Sequence, residues 1–295
     1  MNVKQALLEQ GFDRVIALDG AAWGGGTLLL ALWTYCAEAQ PRTEGAWVHP
    51  YYFASQQAYM AARRVTEAAQ AAGVGIAMRD EIRVKPIFAR LPGFTQGRNT
   101  LSYAEGVGSR FHVQILLLDE VLPFDAALEA SPHPLHCGAC RACLDACPTG
   151  ALDETGFHRE KCLRNWMMSG QPVPEELRGR MGNRLMGCDE CQRCCPHNPP
   201  PAGEAGKTIP LADLLENTKT ACAALKASMG ANMAIPNRVL GQACLIAGCA
   251  EDASLLPRLT ELSHSPSPAV SAHAAWAADV LSARKTCCAT DENTL

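Results

Sequence analysis

Residues 137–148 read CGACRACLDACP, which places Cys137, Cys140, Cys143 and Cys147 with two, two and three residues between them and Pro148 behind the last. Three thiolates at this spacing on a tight loop converge on three corners of one cubane. The fourth, one turn further on and directed by the proline, points away toward a second cluster. C-x2-C pairs also build tetrahedral zinc sites, but those ordinarily use two separated pairs rather than a third cysteine in phase followed by C-P. The spacing predicts a [4Fe–4S] cluster with a second one close by.

A second run, CDECQRCCPHN, supplies Cys188, Cys191, Cys194 and Cys195 ahead of Pro196. It is irregular, because the cysteine of its C-P pair directly follows Cys194. Cys195 is expected to close the first cluster with Cys137, Cys140 and Cys143. Cys147 is expected to complete the second with Cys188, Cys191 and either Cys194 or the upstream Cys162. Adjacent residues rarely send both side chains to different clusters without strain. That favours Cys162 and leaves Cys194 as a small apolar side chain beside the site. His136 and His197 flank the cysteines and are expected to tune the clusters by hydrogen bonding.

The surrounding chain gives these runs a setting. There are 15 cysteines in 295 residues, and only Cys36 precedes Cys137. An odd count without an export pattern is a poor disulfide framework, so a reducing, cytoplasmic compartment is expected. The formal net charge of -4 argues against wholesale coating of nucleic acid and leaves room only for a local basic face. No apolar run is long enough to predict a membrane span. Hydrophobic residues at 48% and charged residues at 19% describe a packed globular protein of two or three domains.

The pattern of elements predicts an α+β chain. Residues 1–130 read as a shortened α/β domain: a helix over Val3–Gln10, strands over Val15–Leu18 and Leu28–Tyr35 around the turn Gly24-Gly25-Gly26, and a helix from Pro50 to Gly73. The run VQILLL (Val113–Leu118) reads as a strand buried on both faces. Residues 131–205 hold the cysteine module, which ends at Pro196 and leads into the Pro/Gly-rich HNPPPAGEAGKTIP (197–210), expected to be a linker or an irregular wrapped segment. In residues 206–295 helices are expected over 211–229, 237–250, 255–263 and 269–281, as a miniature HEAT-like unit or a plain small bundle. Tyr51, Tyr52 and Phe53 are expected to pack at a helix start. Without any family to guide them, Asp80 reads as a solvated turn and the segments holding Gly97, Asn99, Gly108 and Ser109 as ordinary loops. His49 shows no triad partner in sequence.

Several of these stretches together resemble the epoxyqueuosine reductase family. GNRLMGCDECQRCCPHN (182–198), CGACRACLDACPTGAL (137–152) and REKCLRNWM (159–167) are similar to its cluster segments. GFTQGRNTLSYAEGVGSRFHVQILLLDE (93–120) is similar to a loop and strand of its first domain, and NRVLGQACLIAG and HAAWAADVL to its C-terminal helices. The resemblance spans roughly residues 10 to 285, with a shortened N-terminal domain. It implies a cobalamin-binding-like domain, a ferredoxin-like two-cluster domain and a HEAT-like domain on which tRNA docks. Electrons from a flavodoxin- or ferredoxin-like donor would pass through two [4Fe–4S] clusters to cobalamin, for reduction of a queuosine precursor in tRNA. The resemblance further implies that Gly97, Asn99, Gly108 and Ser109 approach the corrin. It implies a proton-donating aspartate too, for which the stretch AMRDEIRVKP offers Asp80. The alternative is a ferredoxin-like electron carrier that serves a partner enzyme and has no substrate site of its own.

Overall fold

The structure is a computed structural model that describes residues 1–36, 45–133, 137–200, 207–250 and 252–291, with side chains to 283. The chain divides into two compact units, each assembled from separate stretches. One comprises Met1–Glu38, Pro50–Cys143 and Cys191–Glu204; the other comprises Ala39–His49, Leu144–Glu190 and Ala205–Leu295. Among the described residues no helix is long and apolar enough to cross a membrane.

The first unit is built on a four-stranded sheet in the order Arg14–Asp19, Thr27–Thr34, Phe111–Leu118, Ile76–Met78. Every neighbouring pair is antiparallel. The first two strands are joined through residues 20–26, a connection too short for anything but an antiparallel pair. Successive side chains in a strand point to opposite faces, and here both faces are covered. Ala17, Leu29, Ala31, Leu116 and Leu118 pack against the helices Val3–Glu9 and Pro50–Ala71. Ile16, Leu28, Leu30, Ile115 and Leu117 pack against Ile87, Phe88, Leu91 and Phe94. Two-sided burial therefore holds for 114–118, with Val113 only partly buried, although such burial is more usual in parallel sheets. Ala58, Ala61, Ala62 and Ala69 are fully buried on the long helix and let its backbone approach the sheet closely. Tyr52 is buried at that helix start, as expected.

The second unit contains a three-stranded sheet with Ala46–Val48 in the middle, parallel to Arg184–Met186 and antiparallel to Lys207–Ile209. The last strand corrects the expectation of an irregular segment through GKTIP: its backbone is taken up by pairing with Trp47 and its neighbours. Residues 201–206 lie outside the described residues. Among the described residues five α-helices follow: Leu211–Glu216, Thr218–Met229, Pro236–Cys249, Leu256–Leu262 and Pro268–Asp291. The expected single helix over 211–229 is two, because Asn217 leaves helical geometry at ψ 37°. A separate apolar cluster of Leu163, Met167, Val173, Leu177, Met181 and Leu245 packs against Cys188.

Candidate metal centre

In the first unit, Cys137 opens a turn in which the Cys140 N–H donates to the Cys137 carbonyl (2.9 Å). Cys143 lies just beyond, on the short helix Ala142–Asp145. The Arg98 backbone N–H donates to Cys137 Sγ (3.3 Å), and its guanidinium donates to the Gly138 carbonyl (2.9 Å). Burial raises the pKa of the Cys143 thiol, and the neighbouring sulfurs of Cys137, Cys195 and Cys140 raise it further. These four thiols stand close enough to repel one another as thiolates. Among the described residues no three metal-ligating side chains close around a point that a single ion would fill.

Cys195 reaches this position because the loop after Cys191 is pinned to the segment 108–110. The Ser109 N–H and hydroxyl both donate to Asn198 Oδ1 (2.7 and 3.0 Å). Gln192 Nε2 donates to the Ser109 carbonyl (2.9 Å), and Arg110 donates to the Pro199 carbonyl (2.8 Å). Asn198 closes the loop on itself by donating to the Gln192 carbonyl (2.6 Å). Gly108 sits at φ +75°, and a Cβ there would lie 2.4 Å from Asn198 Oδ1, so only glycine fits beneath the loop. Asn99 Nδ2 donates to Tyr103 Oη (2.8 Å) and to the Cys191 carbonyl (2.9 Å). Gly97 is covered by Asn99 and Tyr103.

The residues that the resemblance assigned to a corrin are therefore engaged with the cysteine loop and its supports. A cavity of about 650 Å³ adjoins them, bordered by Phe94, Tyr103, Glu105, His197 and Pro199. Of the four, only Gly108 borders it. Asp80 stands on the exposed turn that follows Ile76–Met78. His197 is exposed at the cavity edge, and His136 lies outside the described residues.

The second unit holds Cys147, Cys162 and Cys188. The Ala151 N–H donates to Cys147 Sγ (3.2 Å). Burial, the largest influence, raises that thiol's pKa, but the hydrogen bonds from Thr149, Leu152 and Ala151 outweigh it and leave the pKa lowered. Such a thiol loses its proton readily and is then a metal ligand as the thiolate. Cys188 is pushed up to about 11, mainly by burial, with Cys162 among the charges that raise it further and Arg184 lowering it. Beside it, His49 Nε2 faces Asp189 Oδ2 at 3.4 Å, and both side chains are buried. Sequence reasoning missed this pair, as it missed Tyr103, Gln192 and Asn198. Gln192 and Asn198 stood in plain view within CQRCCPHN, but a polar residue between cysteines does not announce its partner.

Residues 136–198 match the family model described as the 4Fe-4S double cluster binding domain. The class defined by this match and by the thiol arrangement is an iron–sulfur protein of the two-cluster kind. Within that class the likeness is to epoxyqueuosine reductase. The Bacillus subtilis enzyme is 35% identical over 161 residues, 48% of this chain and 39% of its own length. That of Pseudomonas aeruginosa is 41% identical over 106 residues, 35% of this chain and 28% of its own. These sequence matches thus span well under two thirds of the relatives. An epoxyqueuosine reductase solved with an epoxyqueuosine-modified tRNA-Tyr stem loop shares the fold, with a TM-score of 0.74 at 21% identity, covering 95% of this chain and 89% of that one. The resemblance read from the cysteine segments is borne out.

Proposed function

We propose that this chain is an iron–sulfur reductase that accepts electrons from a flavodoxin- or ferredoxin-like donor and reduces a queuosine precursor held in tRNA. The observation that carries the reading is the gathering of Cys195 with Cys137, Cys140 and Cys143, which joins two cysteine runs far apart in sequence into one set. Cys147, Cys162, Cys188 and Cys191 are the second set. The influence of Cys162 on the Cys188 thiol supports Cys162 over Cys194. Two [4Fe–4S] clusters so held would supply one-electron transfer, while the backbone donors at Cys137 and Cys147 favour the ligated, anionic sulfurs. In this reading residues 1–130, 131–205 and 206–295 serve as the cofactor-type, double-cluster and RNA-docking parts. The tRNA substrate is carried by the relative solved with its stem loop.

Cobalamin is the terminal acceptor that the resemblance implies. The polar atoms of Asn99 and Ser109 are already taken by the cysteine loop, and Gly97 is covered. These contacts do not form a corrin cradle, and no step of this proposal runs through cobalamin. Asp80 is the proton donor, reachable by a bulky polymer because its turn is exposed. Protein prepared without oxygen should carry about eight iron per chain. Once reduced, it should convert an epoxyqueuosine-bearing stem loop, assayed with and without added corrinoid. Two intact clusters with no conversion under either condition would reject the reductase and leave an electron carrier. Asp80→Asn should slow conversion by about 100-fold or more, as loss of a general acid does, with cluster absorption unchanged.

A further inference from the structure

We propose that Arg110 anchors a binding site for a small oxyanion, the phosphate or carboxylate of a low-molecular-weight ligand, at one end of the four-stranded sheet of the first unit. Arg110 is only 4% exposed, yet among the described residues no carboxylate pairs with it. Its Nη1 donates to the Pro199 carbonyl (2.8 Å). Among the described residues Nε is buried without a partner, and Nη2 makes no hydrogen bond. A neutral donor such as glutamine would hold one carbonyl without taking a charge out of water, which is costly when nothing compensates it. The Nε–Nη2 edge is a planar fork that takes two oxygens of one anion.

The strand register sets what surrounds this arginine. The Tyr35 N–H donates to the Arg110 carbonyl (3.0 Å) and continues the pairing of Thr34 with Phe111, so Tyr35 and Arg110 lie opposite each other on one face. Alternation sends Phe111 to the apolar cluster of Phe88 and Phe94 and puts Arg110 with His112 and Gln114 on the other face. Tyr51 joins them: its ring centroid is 5.7 Å from that of Tyr35 and 5.6 Å from that of His112. Its hydroxyl is 3.2 Å from His112 Nδ1. Gln114 Nε2 lies 2.8 Å from His112 Nε2, and Gln114 Oε1 is a second buried polar atom on this face without a partner among the described residues. Tyr35, Tyr51 and His112 are half-buried, which opens the face to solvent on their side.

At neutral pH Arg110 supplies the positive charge of this face, because burial holds His112 down at about 4 and leaves its imidazole neutral. A fixed cation with a planar fork, beside two phenol rings, suits an oxyanion carried on a flat body, such as an aromatic carboxylate or an aryl phosphate. Gln114 Oε1 would accept an N–H or O–H from that body. So deep a guanidinium suits a small ligand rather than the phosphate of a polymer backbone, which stays at the surface. The inference goes beyond the electron-transfer reading and does not depend on it.

The test is calorimetric titration of the full chain, prepared without oxygen, with inorganic phosphate, phenyl phosphate and benzoate, and with benzyl alcohol as the neutral control. At least one of the anions should bind once per chain, and benzyl alcohol should not. Arg110→Gln keeps a donor for the Pro199 carbonyl and removes the charge, and should weaken that binding by about tenfold or more. Undiminished binding in this variant, equal binding of benzyl alcohol, or no saturable binding of any anion up to about 10 mM would overturn the proposal. Displacement of the bound anion by an RNA stem loop would overturn it too, because the site would then belong to the polymer. A preference for phenyl phosphate over benzoate, or the reverse, supports the site and tells which oxyanion it takes. Should Arg110→Gln fail to fold, Arg110→Lys decides, since it keeps the charge and loses the fork: weakened binding supports the site and equal affinity rejects it.

Discussion

Cys162 and Cys194 compete for one ligand position, and their surroundings separate them. Cys162 caps the helix Leu163–Ser169 and acts on the buried Cys188 thiol, while Cys194 directly precedes a cysteine of the other set. Cys162→Ser should therefore lose about half of the iron, close to four of eight per chain, and Cys194→Ser should keep it, as read by iron and acid-labile sulfide analysis. Gly108→Ala makes a complementary test, because the added methyl would strike Asn198 and lift the loop that delivers Cys195. Iron loss from the first set is expected there although no ligand has changed. At this scale the double-cluster motif was legible in sequence, because cluster geometry fixes the spacing of its cysteines. Their supports were not. Tyr103, Gln192 and Asn198 work through partners up to about 90 residues away, and only the fold defines those pairings.

Two elements show how packing sets tolerance. Ala62 faces the sheet with no exposed surface, so Ala62→Leu should cost about 1–3 kcal/mol by overpacking, seen as a lowered urea midpoint. In the helical region, His273 bridges elements: its Nε2 accepts from the Val173 N–H (2.8 Å), so its Nδ1–H donates to the Gly241 carbonyl (3.0 Å). Burial holds its pKa down at about 4, against 6.5 when free. The unfolded chain therefore binds the extra proton first. The stabilisation is complete above about pH 6.5 and is lost as pH falls through about 4. That amounts to a loss on the order of 3 kcal/mol from this residue, measurable as a pH-dependent unfolding free energy. His273→Gln should flatten the slope. His112, also buried and held at about 4, adds a second contribution of the same sign. The long strands and helices were legible from apolar periodicity. The three-residue strand Lys207–Ile209 was not, since so short a run carries no alternation and its pairing is set by Ala46–Val48.

For the whole molecule, the sheet of the first unit contains no cluster cysteine, whereas the loops around Cys137 and Cys195 have little apolar burial of their own. Stripping the iron should therefore speed amide exchange across 137–143 and 191–198 and leave the strands Thr27–Thr34 and Phe111–Leu118 as protected as before. Equal loss of protection in the sheet would show that the clusters hold up the entire unit. The interleaving of the two units bears on the order of events at the ribosome. Cys137, Cys140 and Cys143 leave the exit tunnel well before Cys195, because the whole stretch Leu144–Glu190 is made in between. At about 5–20 residues per second, this leaves an interval of several seconds in which three thiols wait without the fourth. A nascent chain stalled within that stretch could accept iron only in an incomplete, oxygen-sensitive form, so assembly factors that load the finished chain have an advantage over any that act during synthesis.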